Sequence, residues 1–338
     1  MMLHSIKDIV EAKLVSPERA AALEEVASRY AVSISEDVAR LIEAPDDPIA
    51  RQFIPSELEL ITTKEERADP IGDRAHEPVA GIVHRHRNRV LFKPVHVCPV
   101  YCRFCFRREM VGPGKEPALT REEFDAAFAY VAARPKISEI IVTGGDPFIL
   151  SPRRVGEISA RAAAIPHIGK LRWHTRVPVV EPARVTDEFV SAIKLKTGIT
   201  RVAIHANHPR ELTAAARAAC RKMRGAGIEL LSQSVLLKGV NDSIETLEEL
   251  IRAFLETGVT PYYIHHPDLA PGTSHFRLSI EEGQSLMREL HARIRTAPDY
   301  MLDIPGGYGK VSLLSDAVVA DGGHWRVRDP HGVWHAYL

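Results

Sequence analysis

Apolar and polar positions along the chain change their period at about residue 88. Before that point, residues 16–30 and 35–41 carry apolar side chains at helical spacing. Stretches rich in proline and acidic residues follow them, and such composition is typical of irregular segments. The sequence therefore predicts a helical N-terminal region over residues 1–75, connected to the rest of the chain by an irregular segment.

From residue 88 onward, short β-rich runs alternate with helical patterns. The β-rich runs cover residues 89–97, 139–142, 170–176, 201–205, 229–237 and 261–265. Helical patterns lie between and after them at residues 121–134, 152–164, 187–194, 211–224, 244–255 and 280–294. Successive β-then-α units require parallel strands that are joined by crossover helices. We therefore predict an α/β fold, a partial TIM-like (β/α)6 barrel over residues 76–298, with residues 299–338 as a short C-terminal segment.

The chemically distinctive residues come directly after the predicted strands. Three cysteines follow the first strand, Gly144-Gly-Asp146 follows the second, and Asp268 follows the sixth. Barrels of β/α units carry their chemistry on the loops that follow the strands. We therefore expect these residues to share one pocket at the carboxyl ends of the strands.

Composition and charge narrow the class of protein. Lys plus Arg and Asp plus Glu both total 44, so the formal net charge is zero. This balance lacks the basic surface expected of a general nucleic-acid binder. No stretch approaches the roughly 18 apolar residues of a membrane span, and charged residues interrupt the N-terminus before any signal-peptide run. We expect a cytoplasmic protein that binds neither nucleic acid nor membranes.

Three of the four cysteines lie close together as Cys98-Pro-Val-Tyr-Cys102-Arg-Phe-Cys105, a spacing that suits metal ligation better than a disulfide framework. Three thiolates can ligate three irons of a four-iron cluster and leave the fourth iron open for a small molecule. A zinc site with His96 as fourth ligand is the alternative. Cys220 lies in a helical pattern and is interpreted as a packed thiol.

This cysteine spacing after the first strand resembles the cluster motif of radical S-adenosylmethionine enzymes. The resemblance implies that Cys98, Cys102 and Cys105 hold a 4Fe-4S cluster. It also implies that Gly144, Gly145, Asp146 and Gln233 contact S-adenosylmethionine. Members of this superfamily cleave S-adenosylmethionine reductively to a 5′-deoxyadenosyl radical. The electron is expected from an external reductant such as a flavodoxin or a ferredoxin.

A second motif, Asp303-Ile-Pro-Gly-Gly-Tyr-Gly-Lys310, ends an apolar run near the C-terminus. Its glycines let the backbone pass close to a bulky ligand. A lysine in such a place can form a Schiff base with pyridoxal phosphate. A turn lysine or a phosphate-binding lysine is the alternative, although the spacing does not fit the P-loop pattern.

The segment resembles that of lysine 2,3-aminomutases, and similar elements recur over roughly residues 45–312. The resemblance implies that Lys310 is catalytic and holds pyridoxal 5′-phosphate. Arg85 and Arg89 match the residues that grip the phosphate of this cofactor, a role that suits bidentate guanidinium groups. Arg107 matches the arginine that pairs with the carboxylate of the substrate.

Asp268 and Asp303 match the pair that binds the ε-ammonium group in lysine-specific members. A long cationic side chain that enters a closed pocket needs a charged partner there. The resemblance thus implies an isomerase that moves the α-amino group of L-lysine to the β-carbon and gives β-lysine. Alternatives are a β-lysine-forming enzyme of elongation factor P modification and a radical aminomutase acting on another amino acid. A radical S-adenosylmethionine enzyme of another type, in which Lys310 does not bind pyridoxal phosphate, and a zinc-binding scaffold are further alternatives.

The sequence departs from the longer aminomutases in one respect. Those enzymes carry a cysteine-rich C-terminal tail that binds zinc between subunits, whereas no cysteine follows Cys220 here. Ser243 stands where the partner ligand of that zinc ion lies. We therefore expect a homo-oligomer, if one forms, to lack inter-subunit zinc. The segment around Lys310 is more similar to metabolic enzymes than to those that modify elongation factor P.

Overall fold

A computed structural model describes residues 2–111 and 116–338. The strands of this part of the chain are β1 Ile82–His86, β2 Arg89–Val95, β3 Glu139–Gly144, β4 Lys170–Thr175, β5 Ile199–His205, β6 Glu229–Val235, β7 Thr260–His265, β8 Asp299–Asp303, β9 Lys310–Ser312, β10 Val318–Asp321, β11 His324–Arg328 and β12 Trp334–Tyr337. In the described residues, β1 to β9 form one sheet in sequence order, and β10 to β12 form a separate antiparallel sheet.

The large sheet is parallel from β2 to β8, with antiparallel strands β1 and β9 at its edges. Strands β2 to β7 correspond to the predicted runs, so the predicted α/β partial barrel is confirmed. The sequence missed the hairpin partner β1, and it assigned β8 to the C-terminal segment although β8 continues the parallel sheet. The division of the chain into three domains stays a prediction.

The helices lie in the N-terminal region and between successive parallel strands. They are α1 Ile6–Glu11, α2 Pro17–Arg29, α3 Glu36–Ala39, α4 Ala50–Phe53, α5 Arg121–Ala132, α6 Pro152–Ala163, α7 Val177–Val180, α8 Asp187–Ala192, α9 Ala214–Gly225, α10 Ile244–Thr257 and α11 Ile280–Arg293. The crossover helices predicted from the sequence correspond to α5, α6 and α8 to α11. Among the described helices, none has both the length and the apolar character that crossing a membrane requires.

Helix α10 illustrates why the sequence folds this way. The Ser243 side chain accepts a hydrogen bond from the backbone N–H of Thr246 and so caps the first turn. Leu247, Leu250 and Phe254 recur at helical spacing and are fully buried against the sheet. Gly258 ends the helix in the left-handed conformation, with φ of 74°. Local signals and burial therefore agree, and the predicted helix is confirmed.

Buried charge fastens the N-terminal region to the cysteine-bearing loop that follows β2. Glu59 accepts hydrogen bonds from Arg103 Nε at 2.9 Å and Nη2 at 2.6 Å, and it also pairs with Arg108. All three side chains are almost completely buried. Burial acts to raise the pKa of Glu59, but the two guanidinium groups outweigh it and lower that pKa. The conformation of the cysteine loop thus depends on one carboxylate from the N-terminal region.

We predict that Glu59→Gln lowers the free energy of unfolding by about 3–5 kcal/mol, because two buried guanidinium groups lose their counter-charge. Glu57→Gln is the matched control, since Glu57 pairs with Arg19 at the surface, where an ion pair contributes at most about 1 kcal/mol. Urea denaturation of both variants measures the difference. Equal, small effects of the two substitutions would contradict this account of the loop.

Candidate active site

A pocket of about 310 Å³ opens at the carboxyl ends of the parallel strands. The pocket is lined by every residue to which the sequence assigned a site: Arg85, Arg89, Cys98, Cys102, Cys105, Arg107, Gly144, Gly145, Asp146, Gln233, Asp268, Asp303 and Lys310. These residues come from strands and loops that are far apart in the sequence. The expectation that they share one pocket is therefore confirmed, whereas their individual roles stay predictions.

The three thiols occupy one side of the pocket, on the loop between β2 and α5. Burial raises the pKa of Cys98 well above its ordinary value, and it raises the pKa of Cys105 to about 11. Thiolates in this place therefore need nearby positive charge, and iron ions supply such charge to cysteine ligands. The donor set of the loop fits a 4Fe-4S cluster in this respect.

The zinc alternative concerned His96, and this histidine is not among the residues that line the pocket. In residues 2–111 and 116–338, no three His, Cys, Asp or Glu side chains are grouped so that they could hold one metal ion. In a 4Fe-4S cluster each cysteine binds a different iron, so the three thiols need not be close enough to share one metal ion. Their separation is therefore compatible with a cluster. Cys220 is fully buried in α9, as the sequence predicted.

Gly144 and Gly145 bring the end of β3 against the cysteine loop. The backbone N–H of Gly145 donates to the carbonyl oxygen of Val95 at 2.7 Å. A Cβ atom on Gly144 would lie 2.5 Å from the same carbonyl oxygen, and one on Gly145 would lie 2.3 Å from the carbonyl oxygen of Val97. Gly144 also has φ of 110°, which favours glycine. Only glycine allows this close backbone contact beside the thiols.

The Asp146 carboxylate joins the end of β3 to the end of β4. It accepts hydrogen bonds from Thr175 Oγ1 at 2.7 Å, from the backbone N–H of Arg176 at 2.6 Å, and from the backbone N–H groups of Phe148 and Val177. Burial raises the pKa of Asp146 in spite of these bonds. The Asp146 carboxylate therefore fixes the position of the Arg176 backbone relative to the thiols.

The structure adds Asp73, a carboxylate that the sequence did not indicate. One of its oxygens pairs with Arg85, and the other accepts a hydrogen bond from Arg107 Nη2 at 3.0 Å. Burial acts to raise the pKa of Asp73, but the arginines outweigh burial and lower it. Asp73 lies in the irregular segment before β1, where a single acidic residue in a turn carries no distinctive signal. It orients both arginines at the pocket wall.

Positive charge collects next to these arginines. Burial, together with repulsion from Arg89, Lys310 and Arg85, lowers the pKa of His86 to about 4. Among the described residues, the Arg89 guanidinium has no hydrogen-bond or ion-pair partner, and it lines the pocket. An unpaired guanidinium beside two further cations is suited to a multiply charged anion such as a phosphate group.

Lys310 lies opposite Asp303 in the antiparallel pair of β8 and β9. Its Nζ atom is 3.4 Å from Asp303 Oδ2, and His265 Nδ1 is 3.3 Å from the same oxygen. The side-chain nitrogen of Gln233 is 3.1 Å from His265 Nε2. Burial and the charge of Lys310 lower the pKa of His265, so the neutral imidazole can accept from Gln233 and donate to Asp303. The lysine amine is thus fixed through a chain of polar contacts.

The two aspartates of the pocket differ in their preferred charge. Burial and the neighbouring Asp303 raise the pKa of Asp268 well above its ordinary value. Burial acts in the same direction on Asp303, but Lys310 outweighs it and holds the pKa of Asp303 low. Lys310 and Arg107 act to lower the pKa of Asp268 but do not outweigh its burial, so a further cation beside Asp268 would relieve its unfavourable position.

We predict that Asp268→Asn raises the free energy of unfolding by about 1 kcal/mol or more at about pH 8. A carboxyl whose pKa is raised in the folded state destabilises that state more and more as pH rises above the ordinary carboxyl pKa of about 4. The stabilisation gained by Asp268→Asn should therefore become smaller as the pH is lowered toward about 4. Urea denaturation at about pH 5 and about pH 8 measures the trend.

Asp303→Asn is the matched control and should have the opposite sign. The pKa of Asp303 is lowered in the folded state. Its contribution to stability is therefore present above the ordinary carboxyl pKa and is lost as pH falls through the folded pKa. The substitution should lower the free energy of unfolding at about pH 8. A stabilising effect of Asp303→Asn, or a destabilising effect of Asp268→Asn, would show that the charges are assigned wrongly.

Comparisons with known proteins agree with the geometry. Residues 92–254 match the radical SAM superfamily. The chain is 35% identical to the L-lysine 2,3-aminomutase of Acetoanaerobium sticklandii over 82% of this chain and 67% of that protein. It is 32% identical to the Fusobacterium nucleatum enzyme of the same name over 95% of this chain and 76% of that protein. It is 39% identical to the Escherichia coli enzyme of that name over 73% of this chain and 71% of that protein.

The chain thus spans about two thirds to three quarters of the length of these relatives. With a fold, a cysteine motif and relatives that agree, the chain belongs to the lysine 2,3-aminomutase family of radical SAM enzymes.

Proposed function

We propose that this protein is a radical aminomutase that moves the α-amino group of L-lysine to the β-carbon and releases β-lysine. One observation carries the proposal: a single pocket contains three thiols, a cationic cluster with Lys310, and the pair Asp268 and Asp303. These groups suit, in turn, an iron–sulfur cluster, a phosphorylated aldehyde and an amino acid with a cationic side chain. The relatives named L-lysine 2,3-aminomutase support the same reaction.

Three cofactors would share the pocket in this proposal. When bound, the 4Fe-4S cluster with S-adenosylmethionine supplies a carbon radical, and pyridoxal 5′-phosphate supplies an electron-accepting π-system next to the substrate nitrogen. Cys98, Cys102 and Cys105 would hold the cluster, while Gly144, Gly145, Asp146 and Gln233 would surround S-adenosylmethionine. Because the Asp146 carboxylate already accepts four hydrogen bonds from the protein, its contribution would be to shape this wall.

The phosphate of pyridoxal 5′-phosphate would bind at the cationic end of the pocket. Arg89 is available because no described residue pairs with its guanidinium, and Arg85 is oriented by Asp73. Lys310 is close enough to belong to the same positive cluster, since its charge helps to lower the pKa of His86. Lys310 would form the covalent link to the cofactor through its amine, which Asp303 holds in place.

The substrate would be gripped at both ends. Arg107 would pair with its carboxylate, and Asp73 fixes the orientation of Arg107 by accepting from Nε and Nη2. At the other end, Asp268 and Asp303 would bind the ε-ammonium group. The ammonium group would stabilise the charged form of Asp268 more than that of Asp303, because the surroundings of Asp268 raise its pKa. Fixing the substrate at two points would hold its β-carbon in register with the radical.

The remaining requirements lie outside the pocket. We propose that the electron comes from an external reductant such as a flavodoxin or a ferredoxin, and that the enzyme works in the cytoplasm.

The reaction can be tested directly under anaerobic conditions. Reconstituted protein should convert L-lysine to β-lysine in the presence of S-adenosylmethionine, pyridoxal 5′-phosphate and dithionite, with the product scored by mass spectrometry. Lys310→Ala and Cys102→Ala should each abolish β-lysine formation. Cys220→Ala is the matched control for a lost thiol, because Cys220 is buried in α9 away from the pocket lining, and it should stay active.

Two outcomes would contradict parts of the proposal. Formation of 5′-deoxyadenosine without β-lysine would mean that the radical chemistry is right and the substrate is wrong. If neither product forms although iron and sulfide analysis shows a complete cluster, the protein is not an aminomutase.

We also predict that Arg89→Gln weakens the binding of pyridoxal 5′-phosphate by about tenfold or more, since a charge-assisted bond to the phosphate is lost. The measurement is a titration of the apoprotein with the cofactor, followed by the absorbance of the Schiff base. Arg87→Gln is the matched control, because Arg87 is an exposed arginine in the β1–β2 turn that directly precedes Arg89. Equal affinity in the two variants would remove Arg89 from the phosphate site.

A further inference from the structure

Arg176 directly follows β4 and places a charged group on one of the three thiols. Its Nη1 atom donates a hydrogen bond to Cys102 Sγ, with 2.9 Å between nitrogen and sulfur. The residue is only 5% exposed, so this contact is shielded from water. A buried contact between a guanidinium group and sulfur is electrostatically stronger than one at the surface.

Separate elements hold the Arg176 guanidinium in this position. Its Nη2 atom donates to Gln52 Oε1 from α4 at 2.5 Å and to Glu211 Oε2 from the segment after β5 at 2.7 Å. The guanidinium carbon also lies 4.5 Å from the ring centre of Phe53. The backbone N–H of Arg176 is held by Asp146 from the end of β3. The side chain therefore cannot turn away from the sulfur without breaking several buried contacts.

The carboxylate of Glu211 is itself held in place by several hydrogen bonds. Its Oε1 atom accepts from the backbone N–H groups of Asn207 at 2.9 Å and His208 at 3.0 Å, and from Gln52 at 3.2 Å. Its charge balances that of Arg176, so the pair can be buried at all. Because Glu211 and Gln52 share Nη2, the other terminal nitrogen of Arg176 points to Cys102.

We propose that Arg176 is a positioning residue that donates a hydrogen bond to the sulfur of Cys102 and thereby raises the reduction potential of the iron–sulfur cluster. This inference rests on the proposed function, because it requires the cluster to be bound by Cys98, Cys102 and Cys105. The physical reason is electrostatic. Reduction adds one electron, supplied by the external reductant, and a fixed cation with an N–H···S bond stabilises the more negative cluster. Arg176 keeps its proton throughout.

The decisive experiment is a potentiometric titration of the reconstituted protein, followed by electron paramagnetic resonance of the reduced cluster. Arg176→Gln should show a more negative midpoint potential, and Arg176→Lys should lie between Arg176→Gln and the unmodified protein. Each tenfold fall in the ratio of reduced to oxidised cluster at a fixed solution potential corresponds to about 59 mV. An unchanged potential in Arg176→Gln with a complete cluster overturns the inference.

Arg172→Gln is the matched control for the loss of a buried arginine. Arg172 lies on β4, the strand that Arg176 directly follows, and it is equally buried. It forms an ion pair with Glu139, but its hydrogen bonds go to Glu139 and Tyr262 and not to a thiol. Its substitution should leave the potential close to that of the unmodified protein. An equal shift in the two variants would mean that general loss of positive charge, and not the bond to Cys102, sets the potential.

A measurement on the unmodified protein covers the case in which an Arg176 variant fails to bind a cluster. Protein labelled with ¹⁵N in its arginine guanidinium groups should show a ¹⁵N coupling to the reduced cluster in pulsed paramagnetic resonance. Absence of this coupling overturns the inference. If the unmodified protein binds no cluster, the proposed function fails first and the inference fails with it, which iron and sulfide analysis distinguishes.

Discussion

Buried charge is the constraint on which the pocket depends. A charged side chain that is fully buried without a partner costs several kcal/mol, so the buried charges of the pocket wall need specific counter-charges. Glu59, Asp73 and Glu211 fulfil this need for five arginines, and each of these carboxylates is nearly or fully buried. The pairing fixes distances and directions as well as charge. Buried ion pairs thus hold the side chains of the pocket wall in place.

The N-terminal region belongs to the site as a consequence of this constraint. Glu59 and Asp73 both precede the sheet in the chain, and Gln52 of α4 contacts the guanidinium beside the thiols. The backbone reinforces these links, since the carbonyl oxygen of Gln52 accepts from the N–H of Arg103 at 2.9 Å. A region that looks like an appendage in the sequence therefore holds the cysteine loop in shape from outside the sheet.

The sequence predicted what local pattern and known motifs encode, and it missed what depends on distant partners. The strands and crossover helices follow from periodicity, and every predicted site residue lies at the pocket. Glu59, Asp73 and Gln52 were missed because their partners are far away in the sequence and a single polar residue in a turn has no signature. Strand β8 was separated from the barrel because its run is short and leads into the glycine-rich segment. Asp146 was found through its motif, but its bonds to Thr175 and Arg176 required coordinates.

The register of the last hairpin sets a rule for how this protein can vary. Asp303 and Lys310 lie opposite each other across β8 and β9. Side chains alternate between the two faces of a strand, so a shift of one residue would turn the amine of Lys310 away from the pocket. The half-exposed Tyr308 of the connecting segment 304–309 can therefore change in identity, but the segment cannot change by one residue in length. A single-residue insertion or deletion here should be tolerated far less well than substitution of Tyr308.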